Sequence, residues 1–306
     1  MEGAVLNFFQ PGDTVVAACN GKFGEMWAGF AERHGLKVVR IAQDWDQSAD
    51  PDEVAAALET NPQARAVLVV HSDTSTAVLN PVAEIAAVAR KRGVLVLVDG
   101  ISSIGGAPFE FDGWDLDFAV VSSQKCLMSS PGLALAVVGE RAWKATEHGG
   151  MPRSYLDFAS IRRTLDRPDP ETPGTTPVLL VLQLLEAVRM IHEERTDVVF
   201  RRHRVMADRV RDRASKLGFT LQGPGLLERS PTLTALQVPE GMDPSALRAR
   251  VRDAGIQIAV GLGAYKPKCI RIGHMGDIRM EDVDRTMDVL EGAMDDTAEA
   301  RGIPGA

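Results

Sequence analysis

The chain has 306 residues, 45% of them apolar and 25% charged, enough to bury a large core and too well balanced for disorder. Forty-two acidic residues against 34 basic ones leave a net charge of −8. Such a surface repels phosphate backbones and anionic lipid, so neither nucleic acid nor a membrane is expected as a partner.

The first residues, Met1 to Phe9, carry no basic region and no small-residue cleavage site, so they do not read as a signal peptide. They read as the later turns of an amphipathic helix that ends at Pro11-Gly12-Asp13. Short β-rich runs then alternate with helical patterns: strand Thr14–Ala18, helix Phe23–His34, strand Leu36–Ile41, helix Pro51–Leu58, strand Ala66–Val70 and helix Val82–Arg92. Three more strands follow at Val94–Val98, Phe118–Val121 and Leu133–Val138. Near-continuous apolar runs are what a strand covered on both faces looks like, and their alternation with helices predicts right-handed βαβ units around a mostly parallel sheet.

Residues 141–177 are rich in Gly and Pro and read as irregular, a functional or interface segment. Val178 to Glu194 is a helix. Its most apolar part, Val178–Ile191, contains Gln183, Glu186 and Arg189, too short and too charged to cross a bilayer, and it reads as a buried helix. A basic helix around Arg201–Leu217 reads as a solvated or interdomain face. Strand Leu233–Val238, helix Pro244–Ala254, strands Gln257–Val260 and Cys269–Ile272 and helix Met280–Ala293 make a compact α+β unit. The domain boundary is placed near residue 193, giving domains 1–193 and 194–306, with residues 300–306 expected to be loose. Cys19, Cys126 and Cys269 are too few and too scattered for a disulfide framework or a zinc site, which fits a reducing, cytoplasmic setting.

Two strand ends carry chemistry. Asp99 closes the run Val94–Val98, where open α/β sheets place their ligands, and a carboxylate there needs a cationic or hydrogen-bond partner. Capping the next turn is the plain alternative. Lys125 follows Phe118–Val121 through Ser122, Ser123 and Gln124. A lysine in a cleft can lose its proton by desolvation and attack a carbonyl, though an isolated lysine is ordinarily a solvated charge. The pairing of the two on successive strand ends suits an electron-sink cofactor, which needs an acid for its pyridinium nitrogen and a Schiff-base lysine for its aldehyde.

The segments 98–106 (VDGISSIGG) and 122–138 (SSQKCLMSSPGLALAVV) resemble the class V aminotransferases of pyridoxal-phosphate fold type I, above all the alanine–glyoxylate and serine–glyoxylate (serine–pyruvate) group. Asn20-Gly21-Lys22-Phe23-Gly24, the stretch His71–Pro81, Pro173-Gly174-Thr175-Thr176-Pro177 and Arg271-Ile272-Gly273-His274-Met275-Gly276 agree with that group in order and spacing. The resemblance spans essentially the whole chain. It implies an α/β fold with a large cofactor domain and a small α+β C-terminal domain, pyridoxal 5′-phosphate as cofactor, and a homodimer with a shared active site. Amino-group transfer from alanine or serine to glyoxylate or pyruvate is the implied reaction.

The same resemblance assigns roles. Lys125 is the Schiff-base lysine and proton carrier, and Asp99 holds the pyridine nitrogen protonated. Phe23 stacks on the ring, where relatives often have Trp. Thr74 bonds the phenolic or phosphate side, Gln124 holds the phosphate, and Thr175 reaches it from the partner subunit. Arg271 clamps the substrate α-carboxylate. Two departures stand out: Ser122 replaces a family glycine, and the match begins just after the family's Ser-Gly-Thr phosphate loop and N-terminal arm. That leaves open a catalytically impaired or accessory homologue, or a lyase or phosphonate aminotransferase on the same fold. His71 lies in a cofactor-lining segment and His274 is expected to pack beside Arg271.

Overall fold

β-branched runs and short helices alternate from the first residues onward. In the computed structural model, which describes residues 1–300 apart from 224 and 227, α1 (Glu2–Phe8) leads into β1 (Thr14–Cys19), α2 (Lys22–Arg33), β2 (Lys37–Ala42), α3 (Pro51–Thr60), β3 (Ala64–Val70), α4 (Val82–Arg90) and β4 (Leu95–Asp99). β5 (Phe118–Ser122) and β6 (Ala134–Val138) complete a six-stranded sheet of order β2-β1-β3-β4-β5-β6. All neighbours are parallel except β5 and β6. Every residue of β1 is buried, because helices cover both faces. Phe8, Trp27 and Ala142 pack on one face, and Val54, Leu58 and Ile85 on the other.

The chain leaves β1 for β2 on one side and reaches β3 on the other, so the strand order reverses there. Ligands of open α/β sheets bind outside the carboxyl ends at such a point. In register, Val70 lies beside Asp99 and Asp99 beside Val120, which brings the ends of β3, β4 and β5 to one edge.

Two expectations need correction. Residues 141–177 are not irregular throughout: α5 (Glu140–His148) and α6 (Phe158–Leu165) lie at and within that stretch. α5 buries only Ala142 and Ala145, and α6 buries no residue fully; each is amphipathic but only nine and eight residues long, too short for its period to stand out. What starts α6 is the Asp157 side chain, which accepts from the N–H groups of Ala159 and Ser160. The second correction concerns α7 (Val178–Glu194), which forms as read but is not buried. Only Ala187 and Ile191 are fully buried, with Leu184 half-covered, while Leu179 is 77% and Leu185 64% exposed.

α8 (Thr196–Lys216), β7 (Thr220–Leu221), β8 (Leu233–Gln237), α9 (Pro244–Asp253), β9 (Ala259–Val260), β10 (Cys269–Gly273) and α10 (Met280–Ala300) build a second, four-stranded antiparallel sheet of order β7-β8-β10-β9 with helices packed on it. The two-residue β7 is too short to leave a pattern in the sequence. The basic face of α8 is matched by acid: Arg209 pairs with Asp284, and Arg213 with Asp288 and Glu291, all on α10. Beyond Ala300, the expectation of a loose end lies outside the described residues.

Candidate active site

The loops after β1 and β3 interlock through one buried carboxylate. Asp73 accepts from Phe23 N–H (3.0 Å), Ser75 N–H (2.8 Å) and Ser75 Oγ (2.5 Å). Its pKa is raised by burial, and those hydrogen bonds pull the other way. A Cβ on Gly21 would stand 2.3 Å from Asp73 Cγ, so the residue that opens α2 has no room for a side chain. The close fit places Phe23 half-buried at the first turn of α2.

Asp99 ends β4 with its Oδ1 accepting from Ile101 N–H at 2.8 Å. Its Oδ2 has no hydrogen-bond partner among the described residues. Burial pushes this carboxyl up to about 6, against the pull of the Ile101 N–H, then of the Met1 amino group and, more weakly, of Lys125. At neutral pH it is an ionised, desolvated group with an acceptor to spare.

Lys125 lies in the turn after β5, half-buried. Ser123 shapes that turn: its hydroxyl donates to the Ser130 carbonyl at 2.6 Å, and its carbonyl accepts from Ser129 N–H at 2.9 Å. Met128 closes it with a left-handed φ of 60°, its N–H on the Lys125 carbonyl. Burial and then the nearby Arg271 lower the Lys125 pKa, and Asp99 is among the groups that raise it. Arg271, in β10, donates from Nε to the Val260 carbonyl (3.0 Å) and from Nη1 to the Thr74 carbonyl (2.7 Å). Neither Lys125 nor Arg271 forms an ion pair among the described residues. Two partly desolvated cations close enough to interact, neither in an ion pair among the described residues, favour the approach of an anion.

Asp99, Lys125, Thr74 and Arg271 are therefore brought together, with the Thr74 hydroxyl in contact with Ser102 Oγ. Gln124 is exposed beside Lys125. Thr175 is exposed too, and no hydrogen bond ties it to these residues among those described. His71 lies behind the Asp99 loop, its Nδ1 2.9 Å from Ser103 Oγ and its ring 5.5 Å from Phe109 and 5.6 Å from Trp114. Burial lowers it to about 4, so at neutral pH it is an uncharged packing residue. His274 bonds none of these residues: it is wholly buried, pushed down to about 3 by burial, with Nε2 2.9 Å from Thr234 Oγ1. Reading the sequence missed Asp73 and Ser102. Their one signal is a polar side chain just past an apolar strand, a position shared with many capping residues.

The Aminotransferase class-V family matches residues 2–285 of the chain. A serine–glyoxylate aminotransferase of Methylorubrum extorquens is 34% identical over 288 residues, 90% of this chain and 71% of that protein. A Synechococcus protein named soluble hydrogenase, small subunit, is 33% identical over 310 residues, 100% of this chain and 80% of the relative. The crystal structure of an alanine–glyoxylate aminotransferase from Nostoc superposes with a TM-score of 0.88 at 31% identity, over 96% of this chain and 78% of that one.

Proposed function

The chain belongs to the class V aminotransferases, a transaminase whose cofactor is pyridoxal 5′-phosphate, and from that premise we propose that it moves the amino group of serine or alanine to glyoxylate or pyruvate. The observation that carries this reading is the meeting of a buried carboxylate, Asp99, with two cations, Lys125 and Arg271, that lack an ion-pair partner among the described residues. The choice of small donors rests on the relatives named for serine and alanine with glyoxylate.

The residues present fit the cofactor. Asp99 has a free acceptor for the ring nitrogen, and Lys125 an amine of lowered pKa for the aldehyde. When bound, pyridoxal phosphate supplies an electron sink for negative charge at the substrate Cα. The protein does the rest. Lys125, its proton affinity lowered by burial, takes the Cα proton and returns it on the other side of the exchange. Arg271 holds the substrate carboxylate with the N–H groups that its two carbonyl bonds leave over. Phe23 would hold the ring face, Thr74 the phenolic or phosphate side, and Gln124 the phosphate, with Thr175 of a second subunit as the other phosphate contact. Donor and acceptor are tested by assaying serine, alanine and aspartate with glyoxylate and with pyruvate. We expect serine or alanine with glyoxylate to lead aspartate by about tenfold in kcat/KM; a preference for aspartate contradicts the substrate assignment.

We further propose a homodimer and a division into domains 1–193 and 194–306. What supports the dimer is α7, which exposes Val178, Leu179, Leu182 and Leu185 directly after Thr175, an apolar face of the kind that marks a protein interface. Leu182→Glu with Leu185→Glu is expected to turn a dimer into a monomer in sedimentation while leaving the far-ultraviolet circular dichroism unchanged. A wild-type monomer, or a double variant that stays dimeric, refutes this. The three cysteines are buried and free, which supports a cytoplasmic location, and no helix among the described residues is long and apolar enough to cross a membrane. The hydrogenase-subunit name of the Synechococcus relative favours a second reading, an accessory subunit of the same fold. A cofactor-loaded chain with no turnover on any of these pairs favours that reading.

A further inference from the structure

A buried run of hydroxyls crosses from one sheet to the other behind the site. Ser72 Oγ, on the loop after β3, donates to Ser230 Oγ at 2.7 Å. The Ser230 and Thr232 hydroxyls lie 2.9 Å apart, and Thr232 Oγ1 donates to the Ser102 carbonyl at 2.7 Å. Ser102 Oγ in turn touches Thr74 Oγ1. Ser72, Ser102, Ser230 and Thr232 are each no more than 2% exposed.

Each hydroxyl owns one proton, which fixes the direction. Thr232 spends its proton on the Ser102 carbonyl, so it accepts from Ser230, and Ser230 accepts from Ser72. Thr232 is the link on which both ends depend. Main-chain bonds run alongside: Ser230 N–H donates to the Ala77 carbonyl (2.9 Å) and His274 N–H to the Thr232 carbonyl (3.0 Å). Arg271 stands three residues before His274 in β10, paired with Ala235 of β8, and its guanidinium donates to the Thr74 carbonyl.

We propose that Thr232 is a positioning residue that sets Arg271 against the loops of Thr74 and Asp99, and so governs affinity for the substrate carboxylate. This rests on the transaminase reading in which Arg271 holds that carboxylate. Valine keeps the shape of Thr232 but leaves the Ser102 carbonyl with only the weak Cys126 thiol at 3.5 Å and the Ser230 hydroxyl proton without its acceptor. A guanidinium displaced by a fraction of an ångström binds its anion less well, while the turn that carries Lys125 keeps its own bonds through Ser123 and, among the described residues, touches this network only through the Cys126 thiol, 3.5 Å from the Ser102 carbonyl.

Thr232→Val is expected to raise KM for the amino donor roughly tenfold with kcat changed by less than about threefold, and Thr232→Ser to restore KM. Amide hydrogen exchange of the cofactor-free chain gives a readout apart from turnover: segments 71–80 and 229–234 are expected to exchange faster in Thr232→Val and at the wild-type rate in Thr232→Ser. An unchanged KM and unchanged exchange in Thr232→Val overturn the proposal, as does a serine variant that behaves like the valine one. A wild-type chain without transaminase turnover defeats the functional reading alone; the exchange comparison then decides whether Thr232 holds the two loops. Should Thr232→Val not fold, Ser230→Ala, which removes the donor to Thr232, takes its place with the same outcomes.

Discussion

Lys125→Ala lowers kcat by at least about 10⁴-fold and leaves KM for the amino donor within about threefold. The asymmetry follows from the site. Arg271, which would bind the carboxylate, is held by the Val260 and Thr74 carbonyls and owes nothing to Lys125. Losing the Lys125 charge lowers the positive potential that an anion meets, but the hydrogen-bond donors of Arg271 remain, so the change in KM stays small. Proton transfer at the substrate Cα has no comparable substitute. His71 is buried behind the Asp99 loop with Nδ1 at Ser103 Oγ, and His274 is wholly enclosed at Thr234. Lys125→Arg restores the charge without the amine, and it is expected to be as inactive as alanine because a guanidinium stays protonated. Single-turnover rates with cofactor supplied in excess check the prediction. A residual rate above one per cent of wild type in Lys125→Ala would place the proton carrier elsewhere.

Much of the architecture could be read from the sequence because the sheet is buried on both sides. A strand such as β3 or β4 announces itself as an unbroken apolar run, and the polar residue that ends it, Asp99, stands out for the same reason. α5 and α6 escaped because each is only about two turns long and stands next to glycines and prolines, so an amphipathic period has no room to declare itself. The apolar run of α7 gave the helix correctly and its burial wrongly. An apolar face is the same in sequence whether its own chain or another surface covers it. The site divides along similar lines. Asp99, Lys125 and Arg271 carry groups whose chemistry is distinctive wherever they stand. Asp73, Ser102 and Thr232 act by touching residues distant in sequence, as in the 2.7 Å bond from Thr232 to Ser102, and no local pattern records such a contact.

Asp99→Asn is expected to move stability and activity in opposite directions. The Asp99 carboxyl has its pKa raised from 3.8 to about 6 by burial, so the folded chain binds that proton more tightly than the unfolded one. Between about pH 4 and 6 the unfolded chain has released the proton and the folded chain has not. Stability therefore falls with rising pH across that window, by roughly 1.4 kcal/mol per unit, and the loss is complete above it. Two units amount to about 3 kcal/mol at pH 7, carried by a side chain only 3% exposed and so little screened by solvent. Asparagine fills the same space without the charge and still accepts from Ile101 N–H. The cofactor-free variant is thus expected to be up to about 3 kcal/mol more stable than wild type in urea unfolding at pH 7, with the gap closing as pH falls through 6 and gone near 4. Turnover is expected to fall by about 10³-fold or more, because a neutral amide cannot hold a ring nitrogen in its protonated form. A residue whose removal stabilises the empty protein while disabling it is one kept for its chemistry rather than for the fold. If Asp99→Asn lowered stability at pH 7, the carboxylate would instead be part of the structural core, and the case for Asp99 as the partner of the ring nitrogen would fail with it.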